Sequence, residues 1–271
     1  MPDPPVPPPD LTAYWNNRYS TIDATRSGHI DLPAEYNAWL YRRKQDQVRR
    51  AVARVGASLK GGRLLEIAAG SGAWMAFWEA QGVSGYLGID LSERAVDGLR
   101  TRFPHHEFLQ RDLNDLRIGE AVGFGYEFVS AIDVLYHVVD DARFRAVLAD
   151  LATVLKPGGY LLIHDQFLRG PAQEYGGYIR WRPETEFVSA LEAAGFEVLY
   201  RRPTFFFMVQ AADFTGWPAR AMRVLWDQLQ RPAISRAPKF AGATGYLVDT
   251  VICSVLTEGP AFNVMVCRKR R

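Results

Sequence analysis

Leu64-Leu65-Glu66-Ile67-Ala68-Ala69-Gly70-Ser71-Gly72-Ala73-Trp74 is the stretch that decides the fold. A short apolar run ends on an acid, passes through small residues and resumes with a helical pattern. Such a run is a buried strand, a tight turn and a helix start. Small side chains in the turn let the backbone approach a ligand, and a helix N-terminus offers N–H groups with no partner in the helix. Alone, the stretch is a weak motif, and a turn that binds nothing is the plain alternative.

Outward from this turn the chain alternates apolar runs with helical stretches, the rhythm of a parallel sheet with crossover helices. Strands are predicted at 63–68, 86–90, 107–110, 128–133 and 160–164, with helices at 73–81, 93–102 and 141–155 between them. Lys156-Pro157-Gly158-Gly159 is a strong helix stop. Upstream, 34–55 reads as a helix through Tyr36, Leu40, Val48, Val52 and Val55. Downstream, 183–194 reads as a helix, 196–201 as a sixth strand, 217–230 and 245–256 as helices and 262–267 as a final strand.

Two further acids stand where the turn leads one to look. Gly88-Ile89-Asp90 closes the second strand about twenty residues on, where a carboxylate can accept two hydrogen bonds from a ribose diol. The bland alternative is a helix N-cap, a part that Ser92 fills better. Arg111-Asp112-Leu113 follows the third strand. Three acids at three successive strand ends are hard to explain as packing.

Glu66 to Gly72, Asp90, Asp112, Asp133 and Leu155-Lys156-Pro157-Gly158-Gly159 resemble the ordered motifs of class I S-adenosylmethionine-dependent methyltransferases. The likeness covers roughly residues 60 to 200. It implies a doubly wound, Rossmann-like α/β fold: a seven-stranded sheet with its last strand antiparallel, plus an N-terminal helix and a C-terminal insertion over the active site. It also implies S-adenosylmethionine as cofactor. Asp90 would hold the ribose and Leu91 would flank the adenine. Asp112 and Leu113 would meet the adenine edge. Gly70 and Gly72 would let the methionine moiety lie against the backbone, and Glu66, Ala68, Asp133 and Val134 would complete the cofactor-binding set. Ala68 departs from the family's usual glycine, and alanine resists positive φ. Tyr14-Trp15-Asn16-Asn17-Arg18-Tyr19 resembles a lid segment of several small-molecule methyltransferases, where Trp15 and Tyr19 would face a sulfonium. An aromatic staple for the first helix is an equal reading of the same residues.

Methyl transfer to a hydroxyl calls for a base. Asp133-Val134-Leu135-Tyr136-His137 lacks the Asn/Asp-Pro-Pro-aromatic tetrapeptide of enzymes that methylate planar amino groups. It resembles phosphoethanolamine-type methyltransferases instead, in which the matching histidine looks catalytic. His137 is therefore the first base candidate. His164, at the end of the fifth strand, is the second. A histidine merely packed beside the cofactor or in the core is the plain alternative for each. The acceptor is expected to be a small molecule in a pocket built by the aromatic-rich stretch that holds Phe205, Phe206, Phe207, Phe214, Trp217 and Trp226, with help from Tyr175, Tyr178 and Trp181. O-methylation leads, with N- or C-methylation open.

Composition sets outer bounds. Of 271 residues 48% are hydrophobic, enough for one domain with a core, and the net charge of +2 calls for no nucleic acid. The basic groups at Arg42, Arg43, Lys44, Arg49, Arg50 and Arg54 and at Arg268 to Arg271 read as solvated helix faces and ends. They are the one support for an RNA substrate. Two cysteines, Cys253 and Cys267, give neither a metal site nor a disulfide framework. With no signal sequence and no apolar span, a cytoplasmic protein without a membrane partner is expected. A nicotinamide-dependent oxidoreductase shares the turn and the ribose acid, but not Asp112 or the Lys-Pro-Gly-Gly stop. Oligomeric state is not indicated. The expected organisation is a disordered proline-rich tail at 1–10, a helical lid at 11–60, a cofactor-binding core at 61–201, an acceptor cap at 202–261 and a final strand with a basic tail at 262–271.

Overall fold

The computed structural model describes residues 10–19, 28–29, 31–114, 117–213 and 216–270, with side chains from 216 to 220 left out. The proline-rich stretch 1–9, Phe214 and the Trp217 side chain lie outside the described residues.

Along the chain run α1 (Leu11–Arg18), α2 (Ala34–Arg54), β1 (Arg63–Ile67), α3 (Met75–Ala80), β2 (Gly85–Asp90), α4 (Glu93–Arg102), β3 (Glu107–Gln110), α5 (Ile118–Val122), β4 (Tyr126–Ile132) and α6 (Asp141–Val154). They continue as β5 (Leu155–Asp165), β6 (Phe167–Leu168), β7 (Gln173–Tyr175), β8 (Ile179–Pro183), α7 (Glu184–Ala193), β9 (Phe196–Pro203), α8 (Gly216–Leu225), α9 (Arg231–Arg236), α10 (Pro238–Val255) and β10 (Asn263–Lys269). Seven strands form one sheet in the order β3-β2-β1-β4-β5-β10-β9. The pairs from β3 to β5 are parallel, and β10 runs antiparallel to both β5 and β9. This is the doubly wound sheet with an antiparallel last strand that the sequence predicts.

Two apolar layers clamp the sheet because strand side chains alternate faces. Leu65, Ile67, Val129, Ala131, Leu161 and Ile163 join Phe144, Leu148, Leu151, Phe187 and Leu191 of α6 and α7 on one side. Leu64, Phe128, Leu162 and Val264 meet Val48, Ala51, Met75, Trp78 and Leu99 of α2, α3 and α4 on the other. The strand order reverses between β1 and β4. The turns after these two strands therefore diverge, which opens a crevice at the carboxyl ends of the sheet.

Four readings need correction. The Lys156-Pro157-Gly158-Gly159 run does follow the end of α6, but as a bulge inside β5: the β4–β5 register jumps from Tyr126↔Leu155 to Phe128↔Tyr160. A small second sheet, β6-β8-β7, went unread, since its strands have two, three and five residues and no clear alternation. The helix expected at 245–256 starts at Pro238, a good first-turn residue. Finally, α2 is more than a lid. Val48, Ala51 and Val52 join the sheet-side core, and Tyr36 and Leu40 share a third cluster with Phe205, Met208 and Ile234. A Cβ at Gly242 of α10 would stand 2.3 Å from the Trp39 ring, so glycine is what lets α10 lie against α2. Among the described residues no helix is long and apolar enough to cross a membrane.

Candidate active site

The crevice at the β1/β4 switch point is lined by Glu66, Ala68, Asp90, Leu91, Asp112, Leu113, Asp133, Val134 and His137, and covered by Trp15 and Tyr19. Eleven of the fourteen predicted site residues thus converge on one space. The other three are Gly70, Gly72 and His164.

The glycines act one layer behind the lining. Gly70 N–H donates to Oδ2 of Asp90 (2.8 Å), and Ser92 N–H donates to Oδ1 (2.8 Å). Gly72 has φ +72°, and a Cβ there would come within 2.6 Å of Leu99. Its role is close packing of the turn on α4. Ala68, where a glycine is usual, takes φ +58° and so keeps the left-handed turn despite its methyl. Burial raises the Asp90 carboxyl to about 6, against the pull of the Ser92 and Gly70 N–H groups. Ser92 caps α4 through its hydroxyl, leaving Asp90 free of that duty.

Glu66 receives hydrogen bonds on Oε2 from Trp78 Nε1 (3.1 Å) and the Tyr86 hydroxyl. Burial raises its carboxyl to about 8, opposed by those two bonds. A buried acid of this kind is poised to ionise when a cation arrives. Asp112 is half-buried and fixed by Asn114, whose N–H and side-chain amide donate to Oδ1 (2.8 and 3.0 Å).

Helix α1 crosses the mouth of the crevice. Asn16 Oδ1 accepts from the Ser92 hydroxyl (2.8 Å), which ties α1 to the start of α4. Trp15 stacks on Tyr19 at 5.8 Å and meets the His137 ring edge-on at 5.7 Å.

Asp133 sits in the left-handed region at φ +56° at the end of β4. Its Oδ2 takes Lys44 Nζ of α2 and its Oδ1 takes His164 Nδ1. Burial would raise this carboxyl, but Lys44 and His164 hold it well below the usual range. An ionised carboxylate only accepts, so His164 Nδ1 carries the proton. His164 is fully buried, stacked on Phe262 at 5.4 Å, and does not reach the crevice lining. The second base candidate is thereby displaced: alternation along β5 turns it into the core behind Asp133.

His137 ends the short turn of helix Leu135–His137 and does line the crevice. Its Nδ1 faces the carbonyl oxygen of Tyr178 at 2.9 Å. A carbonyl cannot donate, so Nδ1 is the protonated nitrogen and Nε2 keeps its lone pair. Burial lowers the imidazole pKa, partly offset by the Tyr178 carbonyl and Asp133. The ring is thus neutral at neutral pH with an acceptor nitrogen presented, the state a general base needs.

Sequence reasoning missed Tyr41, and misread Arg43 and Lys44 as parts of a solvated helix face. Tyr41 lines the crevice, with Lys44 Nζ 5.2 Å from its ring centre. Arg43 is fully buried and donates to the carbonyl oxygens of Thr204 (3.0 Å) and Asp249 (3.1 Å). The signal was present: Tyr36, Leu40, Arg43 and Gln47 share one helix face by spacing, so a stripe read as apolar continues through polar members. Arg43 and Lys44 of the basic cluster on α2 are thus engaged inside the protein. No metal-ligand cluster occurs among the described residues.

A methyltransferase domain family model matches residues 36–201. No curated protein matches the sequence. Among solved structures, N-methyltransferase NodS from Bradyrhizobium japonicum WM9, in complex with S-adenosyl-L-homocysteine, is similar over 96% of this chain and 98% of its own, with TM-score 0.57 and 15% identity. The [4+2]-cyclase SpnF is similar over 99% and 98%, with TM-score 0.57 and 18% identity. An S-adenosylmethionine-dependent methyltransferase from Mesorhizobium loti covers 81% and 96%, with TM-score 0.51 and 17% identity. At these identities the structural likenesses speak for the fold, while the family match spans more than half of the chain and sets the oxidoreductase reading aside. The chain belongs to the methyltransferase domain family, the class I enzymes that use S-adenosylmethionine as cofactor.

Proposed function

We propose that this protein transfers the methyl group of S-adenosylmethionine to a small-molecule acceptor, most simply to a hydroxyl, with His137 as general base. The observation that carries the reading is His137 itself: Nδ1–H held by the Tyr178 carbonyl oxygen and Nε2 left as acceptor on the crevice wall. The fold alone does not fix the reaction, since SpnF, of the same fold, is a cyclase.

The crevice residues suit the cofactor's parts. Asp90 would take the ribose diol, its carboxylate oriented by two backbone N–H groups. Leu91 and Leu113 offer apolar contact for the adenine, and Asp112 an acceptor for its edge. Glu66, Ala68, Asp133 and Val134 would flank the methionine portion, with Glu66 ionising against its ammonium group. Trp15 and Tyr19 present aromatic faces to a cation. When bound, the cofactor supplies an electrophilic methyl on a sulfonium. Residues 11–19 would exclude water, residues 61–201 hold the cofactor, and residues 202–261 cap the acceptor. His137 would take the acceptor's proton onto Nε2 as the oxygen becomes nucleophilic. Holding both partners in line can contribute about 7–11 kcal/mol towards the barrier.

The test is turnover. Protein with labelled S-adenosylmethionine and a deproteinised small-molecule extract should form S-adenosylhomocysteine and place label in the low-mass fraction. Label found instead in added RNA or protein would reject the small-molecule acceptor. No extract-dependent turnover would reject methyl transfer by this route.

A further inference from the structure

Helix α10 breaks the rule that the outer face of a surface helix is polar. Its inner face is ordinary: Ala241, Gly245, Asp249 and Cys253 are buried at helical spacing. Its outer face carries Phe240, Leu247, Val251 and Val255, which are 70%, 63%, 65% and 75% exposed, with Val248 beside them at 40%. At about 100° per residue these five fall in one stripe with Thr244 and Ser254. The stripe holds no charge. The one charged residue between Phe240 and Val255 is Asp249, on the buried face. Helix α4 shows the usual arrangement, with Arg94, Asp97 and Arg100 outward. Among the described residues, nine of the ten large exposed apolar side chains fall between 224 and 256. Such a concentration marks an interaction surface.

Two observations say what covers the stripe. The first is area. A residue of this size exposes on the order of 200 Å² when free, so the five side chains offer roughly 600 Å², against about 800 Å² per partner in a standard interface. Thr244, Ser254 and the flanks of the stripe supply the remainder. The second is the order of groups along the helix. In an antiparallel pair centred between Leu247 and Val248, Phe240 stands opposite the partner's Val255, Thr244 opposite the partner's Val251 and Leu247 opposite the partner's Val248. The ends match in charge as well. Arg236 and Lys239 precede the stripe. Glu258 follows it, in a cluster where Glu184, Asp213 and Glu258 outnumber Arg169 and Arg201 by one. Each basic end therefore meets an acidic one and the negative pole of a helix dipole. A lipid surface would instead favour Lys or Arg along the whole helix, and α10 has only Lys239, at its start.

We propose that this protein is a two-fold homodimer in which the outer stripe of α10 packs antiparallel on the same stripe of a second copy. The contact is isologous, so one self-complementary patch serves both chains. No residue of the stripe lines the crevice. Cofactor affinity is therefore independent of the pairing.

The test is sedimentation velocity of the full chain at micromolar concentration. The wild type should sediment as a concentration-dependent dimer. Val251→Glu should raise the dimer dissociation constant at least about tenfold, because it buries an unpaired charge. Its melting temperature and S-adenosylhomocysteine affinity should stay at the wild-type values. Cross-linking through introduced cysteines reads the register, since Cys253 and Cys267 are buried. Leu247→Cys should link to its own copy. Phe240→Cys, about 22 Å from its own copy along the paired helices, should not, but should link when mixed with Val255→Cys. The proposal is overturned if the wild type stays monomeric, including a monomer that binds vesicles of anionic lipid. It is equally overturned if Val251→Glu dimerises like the wild type, or if Phe240→Cys links to itself as readily as Leu247→Cys.

Discussion

His137→Gln isolates the proposed proton transfer. Glutamine retains an amide N–H that can reach the Tyr178 carbonyl oxygen now 2.9 Å from Nδ1, but it has no basic nitrogen. Removing a positioned base lowers kcat by roughly 10²–10⁴-fold, or about 2.7–5.4 kcal/mol of transition-state free energy. Cofactor affinity should change little. The pH dependence gives an independent sign. Burial lowers the His137 pKa below its ordinary value of about 6.5, so the basic form dominates at neutral pH. The wild-type rate should therefore hold at neutral pH and fall only as the pH drops below about 6.5, through that lowered pKa. Single-turnover methyl transfer to the low-mass fraction reads both effects. A His137→Gln rate within twofold of wild type, or an unchanged acid limb in the variant, refutes base catalysis here. Transfer would then rest on proximity alone.

Lys44→Met removes one partner of a largely buried carboxylate. Breaking such a pair costs about 3–5 kcal/mol when fully buried, and the 21% exposure of the Asp133 side chain argues for the low end, about 3. The melting temperature at neutral pH should fall by several degrees. Because the Asp133 pKa is lowered on folding, the wild-type advantage is present above the unfolded value of about 3.9 and fades as the pH falls through the folded one. An unchanged melting curve contradicts a structural role for this pair. Ala68→Gly should stabilise by about 0.5–1 kcal/mol, since the left-handed strain of about 1–2 kcal/mol is relieved against about 0.5–1 of added chain freedom in the unfolded state. A lower thermal midpoint would mean that Ala68 bears no strain. Asp90→Asn retains one side-chain oxygen for the Gly70 or Ser92 N–H but loses the charge. Since a hydrogen bond to a charged acceptor contributes about 1.5–3 kcal/mol, calorimetry should find S-adenosylhomocysteine binding at least about tenfold weaker. Equal affinity in a folded variant would remove Asp90 from the ribose.

Much of this architecture was readable without coordinates because its signals are local. The acids at 66, 90 and 112 mark the ends of strands whose apolar runs are unambiguous, and α4 and β3 appear at the predicted residues. The rest depends on where distant segments meet. Nothing in the sequence near Lys44 says that it reaches Asp133, 89 residues away. His137 and His164 look equivalent in the sequence, each close to a strand end. A turn of helix brings His137 to the crevice, whereas strand alternation buries His164 behind Asp133. Gly70 and Gly72 were read as ligand contacts, because a small residue at a turn looks the same whether ligand or neighbouring helix is what comes close. The small β6-β8-β7 sheet is equally hard to read, since its short strands carry little periodic signal.

The central claim is that the β1/β4 crevice holds the cofactor with its sulfur end turned to His137. The direct measurement is a crystal structure of the protein with S-adenosylhomocysteine. The ribose hydroxyls should lie within hydrogen-bond distance of the Asp90 carboxylate, the adenine against Leu91 and Leu113, and the sulfur on the His137 side with Nε2 facing the space beyond it. A ligand bound outside this crevice, a ribose away from Asp90, or a sulfur pointing away from His137 would contradict the account.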